Sequence, residues 1–211
     1  IQAFGTGHSE AFAMEIAGRA GGLIPTNRVA LRDTVLWGER TADELIGNPP
    51  LERDDRVVAE LFATIELHPD DLFIIASNSG GNGSVVGLAQ LAKERGHTVI
   101  AVTSFEHTDK ITSGHPSGLR LKDIADIAID NLAPFGDAVL SSQEHSAQVA
   151  IGAVSSLTSA YIAQLLTIGT AARLAAEGGV APVYLSANIP GGDEHNRRLE
   201  ANYGARVRRV A

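Results

Sequence analysis

Four short apolar runs recur along the chain, and each is too short for a helix. They lie at 72–76, 98–102, 124–129 and 182–185, and their apolar residues do not alternate with polar ones. Strands that are buried on both faces have this pattern. Segments 54–67 and 83–95 instead carry apolar residues spaced three and four apart, which predicts amphipathic helices. This alternation predicts one domain with a doubly wound parallel sheet, where ligands bind beyond the carboxyl ends of the strands.

The composition removes several classes of protein. The 211 residues carry 25 acidic and 17 basic side chains, a formal net charge of -8, so we expect no nucleic-acid or membrane-surface partner. The absence of cysteine excludes a disulfide scaffold, a thiolate metal site and a cysteine nucleophile, and we expect a cytoplasmic protein. Residues 1–4 form a predicted strand at the very start. We therefore expect a single domain over 1–211 that lacks an N-terminal helix.

An uncharged segment at 147–172 is long enough to cross a bilayer. Its polar residues, among them Gln148, Ser155 and Gln164, argue against a membrane span. We interpret the segment as a long helix that is buried on most sides, and an oligomer interface would explain how a domain of this size buries it.

The segment at 77–83 follows a predicted strand and precedes a predicted helix. Its candidate phosphate-binding residues are Ser77, Asn78, Ser79, Gly80 and Asn82. Glycines let backbone N–H groups converge at a helix N-terminus, where an anion is favoured, and Ser and Asn add neutral donors. No Lys follows the glycines as in a Walker loop, and the dinucleotide fingerprint is absent. The alternative is ordinary turn and N-cap chemistry.

A second glycine-rich turn at 5–9 supplies the candidates Gly7, His8 and Ser9, and Ser104 completes the set of predicted binding residues. Two such turns on adjacent strand ends would face one crevice. Glu15 and Arg19 follow with a spacing of four residues. This pair is either a surface ion pair or a base held in place by an arginine.

A local basic patch closes the chain. The last fifteen residues hold five arginines, Arg197, Arg198, Arg206, Arg208 and Arg209. The patch is either a solvated surface or a site for a phosphate or a partner.

Together these motifs resemble the SIS (sugar isomerase) domain family, whose members bind phosphosugars. Ser77, Ser79 and Gly80 are similar to the family's Ser-x-Ser-Gly-x-Ser/Thr loop, with Asn82 in place of the last hydroxyl, and 5–9 is similar to its first loop. Further resemblance, closest to a bacterial phosphosugar-binding branch, lies at 18–23, 115–118, 130–131, 136–138 and 186–188. The resemblance implies a three-layer, flavodoxin-like fold with a five-stranded parallel sheet. It also implies long helices at the interface of a homodimer or homotetramer and a site shared between subunits.

Phosphoheptose isomerases resemble the chain along its first helix, which implies that Glu15 is the catalytic base. Their catalytic histidine lies on the long helix, where this sequence has none between 146 and 178. His195, in a glycine turn before the last helix, is the candidate for the missing acid. No histidine pair or acidic cluster has the spacing of metal ligands, so we predict no metal and no cofactor.

The sequence leaves several functions open. We expect a sugar-phosphate-binding protein, and most directly an aldose–ketose isomerase that uses Glu15 as base. The alternatives are an etherase or lyase acting on an amino-sugar phosphate, and a non-catalytic phosphosugar sensor. A flavin or nucleotide protein is a weaker alternative, since only 5% of the residues are aromatic.

Overall fold

The computed structural model describes residues 1–142 and 149–208 of the chain. Its main sheet has five parallel strands in the order β2-β1-β3-β4-β5. The strands are β1 Gln2–Gly5, β2 Asn27–Val29, β3 Leu72–Ala76, β4 Thr98–Thr103 and β5 Ile127–Asp130. Two further strands, β6 Ala138–Ser142 and β7 Val149–Ala153, form an antiparallel pair. The predicted doubly wound, five-stranded parallel sheet is confirmed.

Helices cover both faces of the sheet. They are α1 Glu10–Ile16, α2 Asp33–Leu36, α3 Ala42–Leu45, α4 Val57–Ala63, α5 Gly83–Glu94, α6 Phe105–Lys110, α7 Leu121–Ile124, α8 Ser155–Ala176 and α9 Gly192–Glu200. One buried cluster joins Phe4, Phe73 and Ile75 to α4, α5 and α7. The other joins Ala3 and Ile74, on the opposite face, to α1 and α8. The result is the predicted three-layer fold.

The sequence misplaces one strand of the sheet. The fifth strand of the sheet is β2 rather than 182–185. Because β2 contains Asn27 and Arg28, it lacks the continuous apolar pattern of the other strands. The buried Asn27 is tolerated there because its side-chain amide donates to Gln2 Oε1 and to Arg206 O. At 182–185, Val183 forms a single antiparallel bridge with Leu23. Tyr184, 2% exposed, is buried beside α9 rather than in the sheet.

The long uncharged segment also differs from its prediction. Residues 149–153 form β7, and Ala147 and Gln148 lie outside the described residues. Helix α8 begins at Ser155, where the Asp137 carboxylate accepts the N–H groups of Val154 and Ser155. One narrow stripe of α8 is buried, and Leu157 and Tyr161 on the outer side are 71% and 66% exposed. Burial on most sides is therefore wrong within one chain, because α1 and the sheet cover only one side of the helix.

The remaining boundaries shift by a few residues. The helix predicted at 54–67 is shorter, Val57–Ala63, and follows a 3₁₀ turn at Leu51–Arg53. The run predicted at 124–129 divides between the end of α7 and β5. Among the described residues, no helix has both the length and the hydropathy that a membrane span requires.

Candidate functional site

The two glycine turns meet at the carboxyl edge of the sheet. Strands β1 and β3 are neighbours and parallel, so the turns that follow them emerge side by side. The Asn78 N–H donates to Ser9 Oγ at 3.3 Å and ties one turn to the other. The structure thus brings together the two segments that the sequence singles out.

The first half of the β3 turn is shaped by Ser77 and Gly80. The buried Ser77 Oγ accepts the Gly80 N–H at 3.1 Å. Gly80 has φ +63°, and a Cβ added there would lie 3.0 Å from Thr103 Oγ1. Only glycine adopts this conformation without strain in so little space. Ser77 and Gly80 therefore set the path of the turn.

Asn78 fixes the turn from behind. Its carbonyl oxygen accepts the Ser104 N–H and the Thr103 hydroxyl, each at 3.2 Å. Its side-chain oxygen accepts the Asn131 amide, also at 3.2 Å. The ends of β3, β4 and β5 are joined in this way. The sequence does not predict Thr103 and Asn131 as site residues, although both lie at the carboxyl ends of strands, which is the signal that could identify them.

The second half of the turn leaves hydrogen-bond donors open. Within residues 1–142 and 149–208, no acceptor is bonded to the backbone N–H groups of Ser79, Asn82 and Gly83. Asn82 is the N-cap of α5, but its side chain makes no capping bond. The positive end of the dipole of this twelve-residue helix adds to the field at the same point. The Ser79 and Asn82 side chains, both half-buried, border these N–H groups.

The other turn contributes Gly7 and His8, which are exposed. The His8 carbonyl oxygen accepts the hydroxyl of Ser156 from α8 at 3.2 Å. Ser104 differs from the other predicted binding residues because it is fully buried. Its hydroxyl donates to Ala133 O at 2.6 Å and accepts the His107 N–H at 3.0 Å. Ser104 therefore caps α6 and stabilises the carboxyl edge of the sheet from the protein interior.

Glu15 lies between α1 and α8, with its side chain 23% exposed. One carboxylate oxygen accepts the Gln164 amide at 2.6 Å, and the other pairs with Arg19. The resemblance to phosphoheptose isomerases does not predict the Gln164 contact. A single side-chain amide within the uncharged part of α8, 155–172, is the signal that points to it.

His195 lies at the other edge of the sheet. Its Nε2 contacts Val183 O at 3.0 Å, and Val183 bridges to Leu23 in the segment that precedes β2. The amino ends of the parallel strands define this edge. Within one chain, the structure therefore does not bring His195 to the glycine turns. In the described part of the chain, no group of three or more potential ligand side chains could hold a metal ion.

Comparisons with known proteins support the family resemblance that the two glycine turns indicate. Residues 1–104 match the model of the SIS domain. A UPF0309 protein of Caldanaerobacter subterraneus is 35% identical over 207 residues, which cover 98% of this chain and 82% of the relative. A UPF0309 protein of Brucella anthropi is 37% identical over 203 residues, 96% of this chain and 79% of the relative. One from Listeria monocytogenes is 33% identical over 207 residues, 98% and 81% of the two chains.

Both glycine turns lie in the segment that matches the SIS domain, which is the class of protein that this segment defines. The chain as a whole belongs to the UPF0309 family. Among solved structures it is similar to an E. coli CFT073 protein in complex with arabinose 5-phosphate, with a TM-score of 0.41 and 16% identity over 80% of this chain and 66% of the other.

Proposed function

We propose that the two glycine turns bind the phosphate group of a sugar phosphate. The observation that supports this most strongly is the set of open N–H groups at Ser79, Asn82 and Gly83, at the N-terminus of α5. The match of residues 1–104 to the SIS domain supports the same ligand class. Ser79 and Asn82 would add side-chain donors, whereas Ser77, Asn78 and Gly80 hold the turn in place.

The acidity of the chain is compatible with this site. The donors at the turn are neutral N–H, hydroxyl and amide groups, so they need no basic residue to bind a phosphate. Gly7, His8 and Ser9 would border the sugar from the neighbouring turn. In the proposed site Ser104 would act through the backbone of Asn78, since its own hydroxyl is engaged.

The reaction we propose is an aldose–ketose isomerisation with Glu15 as the base. The ionised carboxylate would take the proton from C2 of the open-chain aldose and return it to C1, while the C2 hydroxyl proton moves to the oxygen on C1. Arg19 and Gln164 would hold the carboxylate for this transfer. Glu15 lies about 9 Å along α1 from Ser9, given the rise of a helix, which leaves room for a sugar between the phosphate and the base.

One observation favours a second candidate, a non-catalytic sugar-phosphate-binding module. The group that faces Glu15 from α8 is the Gln164 amide, which cannot accept and release a proton as an imidazole does. His195 would serve as the acid only if a neighbouring subunit presents it. The cytoplasmic location stays a prediction.

We further propose that the outer side of α8 packs against a second copy of the chain. Large apolar side chains recur there at the spacing of one helical face, namely Leu157, Tyr161, Leu165 and Ile168, which are 71%, 66%, 49% and 61% exposed. Val139 and Ile151 of the β6–β7 pair are each 52% exposed. Monomers rarely expose contiguous apolar surface beyond a few hundred square ångströms. A homodimer or homotetramer would bury this surface and bring a neighbour's residues close to the site.

Solvent exchange separates the two candidate functions. In D2O, the isomerase predicts deuterium at C2 of a sugar phosphate of five to seven carbons. We expect Glu15→Gln to lower exchange by at least about a thousandfold while binding is kept, because the variant removes the base but little ligand contact. Glu10→Gln, on the same helix, is the matched control and should exchange like the wild type.

The outcome decides between the candidates. Binding without any exchange in the wild type would support the binding module and reject the isomerase. Absence of binding across aldose and ketose phosphates would reject both.

A further inference from the structure

A cleft with a volume of about 620 Å³ lies at the end of α1 that is away from the glycine turns. Polar and charged residues of its wall come from the segment after α1, from β2 and from the C-terminal third of the chain, and include Arg19, Arg28, Tyr184, Ser186, Asn196 and Arg208. Among the described residues, the charged side chains that line it are three arginines and no acid. The charge of this wall is therefore opposite in sign to the net charge of the chain, which is -8.

Arg28 is the arginine of this wall whose guanidinium makes no hydrogen bond within the described residues. Its side chain is only 16% exposed, and the nearest carboxylate oxygen, on Glu10, is 4.0 Å from its Nε. Glu10 is itself engaged by both terminal nitrogens of Arg32. Across residues 1–142 and 149–208, no acceptor is hydrogen-bonded to the Arg28 guanidinium. The Arg28 nitrogens are not fully buried, so an anion that entered the cleft could form charge-assisted hydrogen bonds with them.

The acids around Arg28 do not neutralise the wall. Asp33 is buried and accepts the Ala30 N–H at 3.0 Å. Burial raises the pKa of Asp33, although the Ala30 N–H and the charge of Arg208 act in the opposite direction. Three positive charges, those of Arg28, Arg32 and Arg208, therefore lie close to two carboxylates, those of Glu10 and Asp33.

The three arginines of the wall have different roles. Arg208 donates from Nη1 to Thr64 O at 2.9 Å, and its Cζ lies 4.6 Å from the centroid of the Trp37 ring. Its Nη2 has no partner among the described residues but is buried from solvent, so Arg208 adds to the field of the cleft without facing a ligand. Arg19 pairs with Glu15 and is half exposed at the mouth of the cleft. Arg28 is left as the direct contact. Its planar fork fits the oxygen pairs of phosphate and carboxylate groups.

We infer that this cleft binds a small polyanion, one that carries phosphate or carboxylate groups, through Arg28 with help from Arg19. The volume is that of a small-molecule site. The glycine turns contribute no residue to the wall, so the cleft is a second binding site, and Arg19 is the residue that it shares with the proposed Glu15 machinery. It would hold its ligand through guanidinium charge, whereas the turns would use neutral donors.

Calorimetric titration of the full chain with inorganic pyrophosphate, and separately with citrate, tests the inference. We expect Arg28→Gln to weaken binding by at least about tenfold, because two charge-assisted hydrogen bonds are lost. Arg28→Lys keeps the charge but not the fork, so it should fall between wild type and Arg28→Gln. Arg56→Gln is the matched control, because Arg56 is 84% exposed and outside the cleft. If Arg28→Gln does not fold, as judged by circular dichroism, Arg28→Lys serves in its place.

The two anions identify the source of the charge, since Arg28-dependent binding of pyrophosphate or of citrate assigns phosphate or carboxylate groups. The inference is overturned if neither anion binds, or if the Arg28 variants bind like the wild type. It is also overturned if Ser79→Ala, in the glycine turn, weakens pyrophosphate binding as much as Arg28→Gln does. The proposed function fails separately if the wild-type protein binds no sugar phosphate at the turns, while the pyrophosphate and citrate titrations of the cleft give the expected results.

Discussion

The two edges of the sheet offer an anion opposite kinds of chemistry. At the carboxyl edge, the turn after β3 presents N–H groups, hydroxyls and amides, with no arginine or lysine between Ser77 and Gly83. Towards the amino edge, the cleft presents Arg19 and Arg28. Neutral donors recognise position and direction at short range, whereas guanidinium groups attract charge over a longer distance. The difference teaches that net charge alone does not locate the anion sites of this chain.

The largest effect that would separate the two edges is expected from Gly80→Ala. A Cβ at φ +63° and 3.0 Å from Thr103 Oγ1 displaces the turn. We expect sugar phosphate affinity to fall by about a hundredfold, because the N–H groups lose their common direction, and stability to fall by about 1–2 kcal/mol from left-handed strain. Calorimetry and thermal unfolding measure the two effects.

Gly96→Ala is the matched control for that strain. Gly96, after α5, has φ +86°, and no atom lies within 4 Å of a Cβ placed there. It should lose similar stability and keep sugar phosphate affinity within about twofold, since only the backbone strain is shared. Equal affinities of Gly80→Ala and wild type would contradict the role of the turn.

Salt should distinguish the edges with a smaller effect. Raising sodium chloride from about 0.01 M to about 0.3 M shortens the screening length several-fold, so pyrophosphate binding at the cleft should weaken by about tenfold. Sugar phosphate binding at the turns should weaken by less than about threefold, because short hydrogen bonds to neutral donors are screened little. Titrations at four salt concentrations give both slopes, and equal slopes would remove the distinction.

The smallest effect is expected from Glu10→Gln. This change removes the carboxylate nearest Arg28 and also frees Arg32, so pyrophosphate should bind about threefold more tightly. Glu60→Gln is the control. It removes the carboxylate on α4 that pairs with Arg40 and should leave the pyrophosphate affinity of the cleft unchanged. A weaker affinity in Glu10→Gln would show that Glu10 orients Arg28 for the anion rather than competing with it.

The two faces of the sheet differ in how completely their helices are buried, and the long helix α8 accounts for the difference. The α4–α5–α7 layer closes over a continuous core, whereas α8 leaves Tyr161 and Ile168 exposed. If a second copy covers α8, Tyr161→Glu should reduce the mass measured by light scattering to that of one chain, because a buried charge opposes association. The exposed Leu36→Glu, away from α8, is the control. An unchanged mass in Tyr161→Glu would place any interface elsewhere.

Much of the fold could be predicted from the sequence, because the pattern of residues within a central strand reveals that strand by itself. Runs 72–76 and 98–102 are buried on both faces, so their apolar pattern is unambiguous. The strand Asn27–Val29 could not be predicted because an edge strand carries Asn and Arg. Nor could Val149–Ala153, because an apolar run before a helix cannot be told from the helix by periodicity.

The candidate site was predictable to a different extent. The segments at 5–9 and 77–83 could be placed because parallel strands bring their carboxyl ends together. The contact of Glu15 with Gln164 joins residues 149 positions apart, and the pattern of α8 does not reveal its rotation about its axis. His195 could not be placed because nothing in the sequence of α9 shows at which edge of the sheet it packs.

The most direct test of the central proposal follows backbone amide resonances of the 22.1 kDa chain during titration with sugar phosphates of five to seven carbons. We expect the Ser79, Asn82 and Gly83 amide resonances to shift together up to saturation, and we expect the free sugars to leave them unshifted. Persistence of these shifts in Arg28→Gln would confirm that the turns bind independently of the cleft. Resonances around Arg28 that move while the three turn amides stay unchanged would contradict it.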